Sequence, residues 1–227
     1  MLLKYLCSDG IFTLMCAIFG SSELSKFKSL YLSNVHRGDF AFGGVFLGRS
    51  HGGEIIKVPG VYDFSQNIES VSYFNGHTQA PTSTAQRFNS DTSHPFIYND
   101  WVVCHNGIIT NYKKLKNTLP EEAVNVVDSS IIPVMLSIEC NKYTLIAGIK
   151  KVLSQIEGTH ATSLYNRTYN RLFIARCGST LHVNKDDYSS SAFEGSSEVV
   201  DGSLLELVDS TFKVIGQFKN NSPFFLL

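Results

Sequence analysis

Cys16 follows Met15, and chemistry first becomes available in this sequence at that pair. A chain that begins at Cys16, by a start at Met15 or by cleavage after it, carries a thiol and a free α-amine on one residue. An α-amine has a pKa of about 7.7–8.0, so near neutrality an appreciable fraction is unprotonated and takes the thiol proton, directly or through a water. Nucleophile and base are then the same residue. If Cys16 stays internal its nitrogen is acylated and cannot act as a base, and a lone cysteine is most often a buried structural thiol. The other reactive side chains offer less. His77, His94 and His105 lack ligand-like spacing and read as hydrogen-bonded structural histidines, so no metal is expected. Cys104 and His105 are adjacent, and on a regular strand they point to opposite faces and cannot pair. Taken alone, Asn106-Gly107 reads as a β-turn, Asp128 as a helix N-cap and Arg37 as a surface charge. Lys113, Lys114 and Lys116 read as a basic cluster on a solvated helix.

The elements that must position these residues follow from apolar periodicity. Cys16 to Gly20 is a short apolar strand ended by glycine, and Leu24, Phe27, Leu30, Tyr31 and Val35 recur at helical spacing after a serine cap. From Gly43 the period changes to short β-rich runs: Val45–Leu47, Glu54–Val58, Val71–Phe74, Phe96–Tyr98 and Trp101–Cys104, predicting a meandering sheet. The helical pattern returns between Thr110 and Ile156, in a turn at Tyr112–Leu119, a helix begun near Asp128, and another over Tyr143–Ile156. Ala161–Tyr165 and Arg171–Arg176 flank a hairpin turn, and Leu204–Leu207 with Phe212–Phe218 close the chain as strands. The run Ser189–Ser191 is too brief to carry meaning as low complexity. Two sheets whose apolar faces must be covered by each other and by helices predict an α+β, four-layer α-β-β-α sandwich of two mainly antiparallel sheets.

Composition bounds the rest. The 227 residues, with 43% AVILMFWYC, 16 Phe and 10 Tyr, suffice for one core and exclude general disorder. Nineteen basic and 20 acidic residues give a net charge of −1, which favours neither nucleic acid nor an anionic membrane. Five cysteines, odd in number and without a C-x-x-C pair, indicate no disulfide framework and fit a cytoplasmic setting. The apolar run Ile11–Phe19 does not fit a signal peptide, and no stretch approaches the ~20 apolar residues of a membrane span.

Six segments, in order, resemble one family. Met15-Cys-Ala-Ile-Phe-Gly20, His36-Arg-Gly38, Gly76-His-Thr-Gln-Ala-Pro-Thr82, His94-Pro-Phe96, Val103-Cys-His-Asn-Gly-Ile-Ile109 and Arg171-Leu-Phe-Ile-Ala-Arg-Cys-Gly178 resemble the motifs of class II glutamine amidotransferases. Asp128-Ser-Ser130 resembles that family's Ser-Asp-Thr-Glu or Asp-Ser-Glu element. The resemblance implies the N-terminal-nucleophile hydrolase fold over 16–227, with residues 1–15 a leader that is removed or not translated. It makes Cys16 the nucleophile toward a glutamine side chain, leaving a thioester that water cleaves, with Asn106 and Gly107 as oxyanion donors and no cofactor. Gln79 and Thr82 fall in its substrate-binding segment, Asp128 matches the carboxylate that holds the substrate's α-ammonium, and Arg37 matches an arginine that braces the nucleophile's strand.

Two departures qualify the match. Gln79 stands where the family usually has an arginine for the α-carboxylate, and a neutral amide lacks that charge complementarity. Arg87 is the nearest cation in sequence that could substitute. Ala17 replaces a glycine beside Cys16. The expected function is hydrolysis of glutamine to glutamate and ammonia, with a separate synthetase subunit accepting the ammonia. The alternatives are an N-terminal-nucleophile amidohydrolase acting on a different amide and a non-catalytic binding domain of the same fold.

Overall fold

The computed structural model describes residues 5–7, 10–12, 16–48, 53–64, 70–80 and 87–219. Near the amino terminus, β1 (Tyr5–Cys7) pairs antiparallel with β2 (Gly10–Phe12). Two larger sheets follow. The seven-stranded one contains β3 (Ala17–Ser21), β4 (Ala41–Gly48), β5 (Gly53–Pro59) and β6 (Val71–Gln79), together with three short strands, β11 (His182–Asn184), β12 (Asp187–Ser189) and β13 (Ser197–Glu198). Its order is β13-β11-β12-β3-β6-β4-β5. The six-stranded sheet contains β7 (Phe96–Tyr98), β8 (Trp101–Ile109), β9 (Gly158–Asn166), β10 (Arg171–Cys177), β14 (Ser203–Val208) and β15 (Thr211–Gln217), in the order β15-β14-β10-β9-β8-β7.

Side-chain alternation builds the layers. On β8, Val102 and Cys104 face the other sheet and pack with Ile18, Val45 and Tyr73, while Trp101 and Val103 face the helices. That outer face is covered by α3 (Ile131–Lys142) and α4 (Leu145–Gln155), which bury Ile131, Leu136, Ile149 and Val152. On the opposite outer face α1 (Leu24–Asn34) buries Phe27, Leu30 and Tyr31, at i, i+3 and i+4. These pack with Phe19, Phe42, Phe46 and Phe74 into an aromatic layer, with the Phe27 and Phe74 rings stacked at 5.4 Å. The result is the expected α-β-β-α sandwich.

Three details differ from the periodicity reading. The runs between Gly43 and Cys104 do not meander in one sheet: β4, β5 and β6 join β3, and β7 and β8 begin the second sheet. Short apolar runs buried on both faces state that a strand exists but not its partner, and β6 inserts between β3 and β4. The strands β11 to β13 were not legible, since their residues are mostly polar and the segments only two or three long. The helical turn after Thr110 is shorter than expected, α2 spanning Tyr112–Lys116.

Candidate active site

The nucleophile candidate stands at the edge of a buried strand. Cys16 is half-buried, immediately before β3, whose five residues are all buried. Burial pushes its thiol up to about 11, and the nearby negative charge of Asp128 adds to the shift. A hydrogen bond from the Ala80 backbone and the positive charge of Arg37 oppose it. Arg37 lies in a 3-10 turn after α1, half-buried, with Nε donating to the Cys16 carbonyl oxygen at 3.4 Å. That bond ties Arg37 to the residue immediately before β3, so Arg37 is not a free surface charge. Gly38 packs so closely on Gln79 and Ala80 that a Cβ there would collide with their backbone, which explains the glycine after Arg37.

Cys16, Gln79, His94, His105, Gly107 and Asp128 line one cavity of about 310 Å³. Asn106 sits beside it, buried, with Nδ2 donating to Ser190 Oγ at 3.2 Å. The same hydroxyl accepts the Ile18 backbone N–H at 3.0 Å. Ser190 therefore ties the strand that follows Cys16 to the candidate oxyanion donor, and the second Asn106 N–H remains for a ligand. Asn106 and Gly107 lie inside β8, not in a turn; a Cβ at Gly107 would collide with the Thr159 carbonyl on β9. A smaller hollow of about 180 Å³ at Ser22, Tyr73 and Asp186 contains neither cysteine nor histidine.

Asp128 is not a helix cap. It lies in a 3-10 turn before α3, and its carboxylate accepts the Ile109 N–H at 2.8 Å and the Ser129 hydroxyl at 3.2 Å. Ser129 Oγ also meets His105 Nδ1 at 2.7 Å. Gln79 is buried at the end of β6, and its Oε1 has no hydrogen-bond partner. Arg87 is exposed and does not line the cavity, so it does not replace the missing cation. Thr82 lies outside the described residues.

Distant in sequence, the histidines gather in space. The His77 and His94 rings stack at 3.9 Å, and His94 and His105 are 6.5 Å apart. Among the described residues no group of three or more potential ligands is arranged for a metal ion. Burial lowers all of these histidines and His160 as well, to about 3 for His77 and His160. The sign for stability follows directly. The fold holds neutral imidazoles, while the unfolded chain protonates them near pH 6.5, so stability is full above that pH and is lost as pH falls toward 3. Each buried histidine steepens the loss by up to about 1.4 kcal/mol per pH unit. Thermal unfolding midpoints between pH 8 and pH 4 are expected to fall sharply below about 6.5; a flat profile there would contradict neutral burial.

Comparisons with known proteins fit this geometry. Residues 85–196 match a family described as a glutamine amidotransferase domain. That match covers just under half of the chain, which is similar over this stretch to glutamine amidotransferase domains. Curated relatives include a glutamine–fructose-6-phosphate aminotransferase of Francisella tularensis, 22% identical, with 74% of this chain aligned to 30% of that protein. A 7-cyano-7-deazaguanine synthase of Saccharolobus solfataricus is 25% identical, with 83% of this chain aligned to 42% of that protein. The chain thus spans less than half the length of these relatives. In fold it is similar to a glutamine phosphoribosylpyrophosphate amidotransferase from B. subtilis, with a TM-score of 0.71 at 22% identity, covering 90% of this chain and 49% of that one. A class-II glutamine aminotransferase domain protein from Silicibacter pomeroyi superposes with a TM-score of 0.55 at 12% identity, covering 90% of this chain and 99% of that one. No helix among the described residues is long and apolar enough to cross a membrane.

Proposed function

We propose that the domain hydrolyses the side-chain carboxamide of glutamine or a glutaminyl donor, releasing ammonia, with Cys16 as nucleophile once residues 1–15 are gone. The convergence of Cys16, Gln79, Gly107 and Asp128 on one cavity, from four separate segments, carries this reading. The α-amine of Cys16 takes the thiol proton, and the sulfur adds to the carboxamide carbon. Asn106 Nδ2 and the Gly107 N–H donate to the developing oxyanion. Ammonia leaves, a thioester remains, and water cleaves it to the carboxylate and the free thiol. Asp128 pairs with the donor's α-ammonium. A synthetase activity, in another subunit or domain, consumes the ammonia in the cytoplasm; the synthase and transferase names of the relatives support this coupling.

Two measurements test the proposal together: the intact mass of the protein from its native host and ammonia release by that material. A mature chain beginning at Cys16 that releases ammonia from a glutaminyl carboxamide is expected. A chain that retains Met15 and everything before it would exclude the amine base.

A further inference from the structure

The cavity's charge inventory bears on what the donor carries beside its amide. Asp128 supplies a negative charge, and among the described residues no lysine or arginine lines the wall. Arg37 is bonded to the Cys16 carbonyl and is not part of that wall. Residues 81–86, which continue from the Gln79 strand, contain no lysine or arginine. In the β4–β6 register Ala41 faces Gln79 and Gly48 faces Val71, so the far end of β4 is about 23 Å away along the strand. A free amino acid would have to place its carboxylate against a wall whose described residues supply no cation, with Arg37 set behind Cys16, a costly desolvation.

Gln79 points to a different complement. Its amide is neutral, buried, and leaves an oxygen unpaired at the wall. A carboxylate offers only acceptors to that group, whereas an amide offers one donor and one acceptor, whichever way the Gln79 side chain is turned. At the mouth, Val126 lines the cavity and is 75% exposed, an apolar rim beyond the first donor residue. Resting on the hydrolase reading above, we propose that the donor is a glutaminyl residue with a free α-ammonium and its α-carboxyl in amide linkage, as at the amino terminus of a peptide. The α-ammonium meets Asp128, the peptide amide meets Gln79, the side-chain carboxamide meets Cys16, and the next residue leaves past Val126. The net reaction adds one water to the carboxamide and yields a glutamyl residue and ammonium.

The test uses the chain that begins at Cys16 and compares free glutamine, glutaminyl-glycine and Nα-acetyl-glutaminyl-glycine. Conversion of glutaminyl to glutamyl is read by mass spectrometry, which separates it from spontaneous cyclisation, with the Cys16→Ala chain as blank. We expect kcat/KM for glutaminyl-glycine at least ~10-fold above that for free glutamine, and loss of the preference on acetylation. Gln79→Arg is expected to shift the preference toward free glutamine. Equal or better use of free glutamine by the unsubstituted chain overturns the donor assignment and leaves the hydrolase reading standing. Failure to convert any of the three overturns both.

Discussion

Cys16→Ala is expected to abolish ammonia release and thioester accumulation while leaving the thermal midpoint near that of the parent chain. The substitution removes one sulfur atom from a half-buried position at the edge of β3, so little packing is lost. The chemical loss, in contrast, is complete, because among the described residues no other cysteine lines the cavity: Cys104 lies between the sheets and Cys177 in the helix-side core. A chain that retains residues 1–15 should behave like the alanine variant. With its nitrogen acylated and its thiol at about 11, only about one part in 10⁴ is thiolate at pH 7. Freeing the α-amine supplies a base on the same residue whose pKa of about 7.7–8.0 lies close to the working pH, and activity should appear with cleavage. Quantifying ammonia from the long chain, the cleaved chain and the alanine variant separates these contributions. Equal turnover in the variant would end the nucleophile assignment.

Much of this site was legible because several of its residues sit in contiguous motifs on strands. Asn106 and Gly107 are consecutive on β8, and His36-Arg-Gly38 is one turn, so the motif resemblance brought these residues together, whereas read alone Asn106-Gly107 suggested a turn and Arg37 a surface charge. The sandwich was legible for a related reason: runs such as Trp101–Cys104 and Leu172–Ala175 are apolar on both faces, which only a sheet covered on both sides requires. What escaped depends on contacts distant in sequence. Ser190 holds both Ile18 and Asn106, yet in sequence it is one serine in a run of three, distinguishable only once β12 pairs with β3. The histidines likewise looked scattered at positions 77, 94 and 105, because stacking across two sheets leaves no mark in local spacing. Asp128 matched a capping pattern, and the bond that claims its carboxylate comes from Ile109, 19 residues earlier. Alternation on β8 did anticipate that Cys104 and His105 would face opposite ways, a two-residue period that no tertiary contact overrides.

Asn106→Ala is expected to lower kcat by ~100-fold with a much smaller change in KM, the signature of an interaction realised mainly in the transition state. The backbone at this position is held without the side chain, by pairing with Ala161 on β9 and by the Ser179 hydroxyl, which donates to the Asn106 carbonyl at 2.9 Å. Ser190 loses one donor but keeps the Ile18 N–H, so the stability cost should stay near ~1 kcal/mol. Turnover should not vanish, because in the proposed mechanism the Gly107 N–H still donates to the same oxygen. Glycine is needed there for close approach to Thr159, so the remaining donor keeps its position in the variant. The contrast with Cys16→Ala is therefore one of kind: a deleted nucleophile leaves no pathway, while a deleted donor leaves a slower one with the same thioester. Steady-state kinetics, with the acyl-enzyme followed by intact mass, distinguishes the two. A raised KM at unchanged kcat would place Asn106 in ground-state donor binding and remove it from the oxyanion site.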